Sequence, residues 1–143
     1  MKWNDTVNIP IYPRADDLVL LMNSLVDVIG KGSEGILYNF GKQLAEKYYS
    51  RMNIPKNLDQ DAIFKNILSS MMFSDWFTKM EIEKDDKFVV TLKSVFELNA
   101  DEDSCNFIRG FLAGLSSSIY RKTYLCKEKR NPEEMCVFTL IER

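Results

Sequence analysis

Histidine is missing from all 143 residues. That absence removes Ser-His-Asp and Cys-His catalysis, histidine metal ligands and a proximal histidine for a haem. Any metal site has to be assembled from Cys, Asp and Glu. Positive charge is not in excess either. The chain has 19 Lys and Arg against 21 Asp and Glu, a net of −2, which argues against nucleic acid as the main partner because phosphate binding calls for a basic face. Long apolar runs are lacking. The longest is Leu18-Val19-Leu20-Leu21-Met22, far short of the ~20 residues of a membrane span. Met1-Lys2-Trp3-Asn4-Asp5 offers no apolar h-region, so no secretory signal is expected. Cysteine is scarce and odd in number, at three. A cytoplasmic setting is therefore expected, with the thiols free or metal-bound. No Gly-rich βαβ unit and no nicotinamide or flavin fingerprint occurs.

What is present describes an ordinary globular chain. It is 45% hydrophobic and 28% charged, enough for one domain with a real core over residues 1–143 and too short to expect two. Residues 1–14, with Pro10 and Pro13, read as an extended arm. Ala15 to Ile29 reads as a first helix with Asp16 and Asp17 in its N-terminal turn. Its stripe of Leu18, Leu21, Met22, Leu25 and Ile29 is widened by Val19, Val26 and Val28. A helix so apolar is central or part of a subunit interface, and a homodimer through it is expected. Gly30 to Ser33 is a turn, with Ser33 a candidate cap for a second helix reaching about Met52. Leu37, Phe40, Leu44 and Tyr48 line its inner face, and Gly41 and Ala45 are small. A third helix follows Leu58 with Asp59 as cap. The period then changes: Thr78, Met80 and Ile82 alternate with charged residues, Lys84 to Lys87 is a polar turn, and Phe88 to Leu98 reads as a second strand. Asn99 to Asp103 breaks the chain and caps a fourth helix, about Ser104 to Tyr120. Thr123–Lys129 and Cys136–Ile141 close a second hairpin around Asn131-Pro132. The expected fold class is α+β: about four helices, mainly N-terminal, packed on a twisted antiparallel sheet of about four strands.

Chemistry is concentrated in the last third. Gly110 and Gly114 each cost the fourth helix about 1 kcal/mol relative to Ala. Either the helix lies tight on a sheet or its small residues leave room for a ligand. Cys105 opens that helix, where the dipole favours a thiolate. Cys126 and Glu128 share a strand face, and Cys136 begins the neighbouring strand. If the hairpin packs on the helix, Cys105, Cys126, Glu128 and Cys136 converge as three thiolates and a carboxylate, a closed zinc set. The alternative is that the cysteines simply fill space. Glu128 needs a partner if buried, either a cation or Arg109 from the helix. Trp76, Phe77, Phe107, Phe111 and Tyr124 are candidate walls of a ligand pocket between the fourth helix and the sheet. Arg109 is the candidate polar group.

The order Cys105, Phe107, Gly110-Phe111, Gly114, then Glu128, then Cys136 and Phe138 resembles the 4-vinyl-reductase domain family. Leu37 to Lys42 is similar to the family's earlier helix, so the resemblance spans roughly residues 30–143. It implies a fold related to TRAPP-type tethering subunits and to ligand-sensing domains of bacterial regulators, commonly homodimeric. It also implies a zinc site of three cysteines and the glutamate. The chain departs from that pattern at Asn131, where the family has cysteine, and Cys126 is the substitute the sequence offers. The family name points to reduction of tetrapyrrole vinyl groups, but this chain has no redox-cofactor motif, so the activity is not carried over. The expected function is a non-enzymatic sensor or carrier of a small, largely apolar molecule. The alternatives are a structural dimerisation or protein-interaction module and, third, an accessory to tetrapyrrole vinyl reduction.

Overall fold

The computed structural model describes residues 12–55, 57–100, 104–131 and 133–143. Most of the expected N-terminal arm, the centre of the break before the fourth helix, and Pro132 lie outside them. The N-terminal part is helical: α1 (Ala15–Ile29), a 3-10 turn (Gly30–Gly32), α2 (Ser33–Arg51) and α3 (Gln60–Met72). Strands β1 (Lys79–Lys84) and β2 (Phe88–Lys93) follow, then a second 3-10 turn (Phe96–Asn99), α4 (Asn106–Tyr120), β3 (Tyr124–Asn131) and β4 (Met135–Glu142). The class is α+β, with an antiparallel sheet of four strands in the order β1-β2-β4-β3.

Local chemistry sets the boundaries. Asp59 caps α3 by accepting the Ala62 N–H at 3.1 Å. Ser33 is not a cap: it lies inside α2, is buried, and makes no capping bond. β2 is shorter than the alternation suggests because Ser94 takes a left-handed φ of +54°, which turns the chain into the 3-10 segment. Val95 and Phe96 still belong to the core.

The helices do not all lie on the sheet. α4 packs between the sheet and α2, and is buried along almost its whole length. α3 lies beside α4 and β1, while α1 packs against α2 and the two short 3-10 segments. The small residues of α4 therefore serve a helix–helix contact and not, as expected, a helix–sheet one. A Cβ at Gly110 would overlap the Tyr38 carbonyl, one at Gly114 the Lys42 carbonyl, and one at Gly41 the Phe107 carbonyl. The two backbones touch at three points.

One sheet face carries Met80, Ile82 and Lys84 on β1, Phe88, Val90 and Leu92 on β2, Cys136, Phe138 and Leu140 on β4, and Tyr124, Cys126, Glu128 and Arg130 on β3. The apolar side chains of α4, Phe107, Ile108, Phe111, Leu112 and Leu115, are all buried, with Phe107 and Phe111 against Phe40 and Tyr48 of α2 and against Trp76. No helix among the described residues is long and apolar enough to cross a membrane.

Candidate functional site

Three side chains converge where the N-terminus of α4 meets the β3–β4 hairpin. Cys105 is the residue immediately before α4. Glu128 and Cys136 come from adjacent strands on the helix-facing side. Their ligand atoms all lie within 4.8 Å of one another. Glu128 keeps only 4% of its side chain exposed and accepts the Cys105 N–H at 2.8 Å and 3.2 Å. Its cation is Arg130, whose Nε lies 3.3 Å from Glu128 Oε2 and whose other end reaches Cys105 Sγ at 3.7 Å. The register places Arg130 opposite Cys136, which explains why it leans over the cluster. The thiols share a hydrogen bond. That bond holds the Cys136 pKa below the ordinary thiol value and pushes that of Cys105 far above it, with burial adding to the rise.

Cys126 is not part of this group. It faces the same side as Glu128, as the alternation requires, but one pleat further along β3. Its thiol is buried, with a pKa raised by desolvation, and donates to the Lys127 carbonyl at 3.9 Å. The expected four-ligand set is therefore three residues. Two thiols and a carboxylate fit zinc in donor type. Among the described residues no fourth donor completes a closed structural site, and Arg130 stands beside them.

Glu97 was not visible as a site residue in the sequence. It is fully buried and accepts the N–H groups of Phe107 and Ile108 at 2.8 Å and 2.9 Å. It caps α4 from the 3-10 turn. The only sequence signal is an acidic residue set between Phe96 and Leu98, apolar neighbours that draw it inward.

Arg109 neither pairs with Glu128 nor reaches the expected aromatic wall. Its guanidinium donates to the Asn106 side chain at 2.8 Å and the Cys126 carbonyl at 3.2 Å. It lies 5.0 Å from the centre of the Tyr38 ring. It thus ties α4 to β3 and α2.

The expected wall residues divide into two places. Trp76, Phe107 and Phe111 pack on one another, with Trp76 ring centroids 5.5 Å and 5.2 Å from those of Phe107 and Phe111. Phe77 is equally buried. Tyr124 stands apart, at the far end of α4, beside Phe88 and Tyr120 at 5.9 Å and 6.1 Å. That second group borders a cleft of about 610 Å³, also lined by Gln60, Lys84 and Lys122. Tyr120 donates its hydroxyl to Asp61 at 2.6 Å, and Lys84 reaches the same oxygen at 3.0 Å. The sequence reading assigned Lys84 to a turn. The structure makes it the last residue of β1, two pleats on from Met80, and so it points toward the helices.

No family model matches the chain, and no curated protein does. Solved structures do. The phenol-responsive sensory domain of the transcription activator PoxR, determined with phenol, aligns at 16% identity and a TM-score of 0.62, over 92% of this chain and 75% of that one. An H-NOX protein from S. oneidensis in the Fe(II)NO ligation state aligns at 13% and 0.60, over 100% of this chain and 83% of that one. The present chain has no histidine to offer an iron. A vinyl-4-reductase family protein from Methanocaldococcus jannaschii aligns at 21% and 0.62, over 94% and 84%. With the same α+β architecture and nearly the whole chain superposed, the protein has the vinyl-4-reductase fold.

Proposed function

We propose that residues 1–143 form a non-enzymatic sensor or carrier domain that binds a small, largely apolar molecule between α4 and the sheet. The observation that carries this reading is the aromatic row Phe64, Phe88, Tyr120 and Tyr124. Neighbouring rings stand 5.1 to 6.2 Å apart, and the row opens onto the 610 Å³ cleft. Aromatic walls in a concave site suit such a ligand, and Lys84, Asp85, Asp86, Lys87, Lys122 and Glu142 bring charge to the rim of this one. Of the walls expected from sequence, Tyr124 borders this opening, while Trp76, Phe77, Phe107 and Phe111 belong to the packed interior. A fold shared with a phenol-responsive sensory domain supports the reading. Phenol is the first probe. Titrated to millimolar concentration against labelled protein, it should shift the backbone resonances of Phe88, Tyr120 and Tyr124. An unchanged spectrum would remove the sensor reading.

Zinc at Cys105, Glu128 and Cys136 belongs to the same proposal. A zinc ion there would be structural and would fasten the start of α4 to β3 and β4, and metal binding of that kind is coupled to folding. Elemental analysis of metal-supplemented protein should find one zinc per chain, and Cys105→Ser should lower both zinc content and stability. Metal-free protein of full stability would leave the thiols as buried apolar groups. All three cysteines are free and buried, which suits a reducing, cytoplasmic setting.

A second reading, a dimerisation module, has its own support. Leu20, Leu21, Val28 and Ile29 of α1, with Ile36 and Phe40 of α2, are exposed apolar side chains.

A further inference from the structure

Lys84 occupies an aromatic corner. Its ammonium lies 3.8 Å from the centre of the Tyr120 ring and 5.5 Å from that of Phe88. Phe88 meets Tyr120 and Tyr124 at interplanar angles of 89°, with centroids 5.6 Å and 5.9 Å away. The electron-rich faces of Tyr120 and Phe88 thus turn toward one positive charge. Asp61 closes it on the α3 side and bonds both Tyr120 and Lys84. Aromatic faces around a positive charge, with a carboxylate at the rim, are the arrangement that recognises organic ammonium groups.

A primary ammonium is a poor tenant for such a place. It is strongly hydrated and prefers water, whereas an alkylated ammonium presents apolar surface to the rings and loses less hydration on entering. The tether is also slack. Lys84 and Asp61 keep 36% and 62% of their side chains exposed, and an ion pair so open to solvent is weakly held. Of the other charged residues around the cleft, Lys122 is paired with Glu142 at 3.4 Å, and Asp85, Asp86 and Lys87 are exposed on the β1–β2 turn. When Lys84 swings out, Asp61 keeps its bond from Tyr120 and leaves its charge open to another cation.

We infer that this cleft is a binding site for an organic cation, an alkylated ammonium with apolar substituents, and that Lys84 is its built-in competitor. The inference rests on the small-molecule reading of the same cleft and names the ligand class.

The test is a titration of the full chain by ¹H–¹⁵N spectra with tetramethylammonium chloride, at ionic strength held constant with sodium chloride. Phenol runs in parallel. Lys84→Met keeps the apolar stem and removes the charge, and Lys84→Gln serves if that variant fails to fold. Tetramethylammonium should shift Gln60, Phe88 and Tyr120. It should bind Lys84→Met about tenfold more tightly than the wild type, because a tethered group competes at roughly millimolar effective concentration. Adding Asp61→Asn should take that gain away. Phenol should respond to neither change by more than about twofold, since it brings no charge to the corner. Phenol binding without tetramethylammonium binding would overturn the cation and leave the sensor reading standing. Binding of neither would overturn both. Equal affinity of tetramethylammonium for wild type and Lys84→Met would overturn the role of Lys84.

Discussion

Two carboxylates meet the N-terminus of α4, where the first backbone N–H groups of a helix have no acceptor within the helix. Glu97 takes two of them and Glu128 the N–H of Cys105, and both charges oppose the positive end of the dipole. Glu97→Ala should cost about 2–3 kcal/mol, the scale of buried bonds to a charged group, read from urea midpoints. Glu97→Gln, which keeps one acceptor, should cost less. An Ala variant as stable as the parent would show that Glu97 is not the cap. Tyr12 makes a pH prediction. It is buried against Tyr48 and Trp76, and burial pushes its phenol from 10.0 up to about 12, opposed by the Ser70 hydrogen bond. Its pKa is raised on folding, so its contribution is complete below pH 10 and is lost as pH climbs toward 12. Stability should fall across that window by about 2–3 kcal/mol, and by less in Tyr12→Phe. A flat profile would contradict it. Cys105, Glu128 and Cys136 were legible because helix-start and strand alternation fix which way each points. Cys126 was misjudged because alternation fixes the face but not the position along it, and one pleat is ~7 Å of travel.

The helices were legible as elements: α1 runs Ala15–Ile29 as its stripe implies, and α3 starts after Asp59. What packs against what was less so. Periodicity marks the small face of α4 but says nothing of the partner, and the partner is α2. The consequence is a reversed sign for a familiar substitution. In an exposed helix Gly→Ala stabilises by about 1 kcal/mol. At Gly110 the new methyl meets the Tyr38 backbone, which cannot rotate away as a side chain would. Gly110→Ala should therefore destabilise by about 1–3 kcal/mol in thermal or urea unfolding, and Gly35→Ala, with open space around its Cβ, should not. A stabilised Gly110→Ala would mean that the helices stand further apart than described.

At the scale of the whole molecule, α1 shows solvent more apolar surface than a lone chain gains by showing: Leu20 is 66% and Val28 83% exposed. A second copy covering this face would bury it symmetrically. Light scattering at micromolar concentration should give twice the chain mass, and Leu21→Glu the single mass. A monomeric wild type would remove the dimer. The α+β class and both hairpins were legible from the change of period. The strand order was not, since hairpins predict neighbours in sequence while the pairing of β2 with β4 joins one hairpin to the other across α4. That pairing sets a timetable. β4 is later in sequence than β3 yet sits between β2 and β3, so during synthesis the first hairpin waits with an open edge until Met135–Glu142 has left the ribosome. Contacts so distant in sequence form slowly. In the interval α2 and α4 can already lock through their glycines, giving a helical pair with half a sheet. A nascent chain stalled before β4 should therefore be the species that chaperones hold.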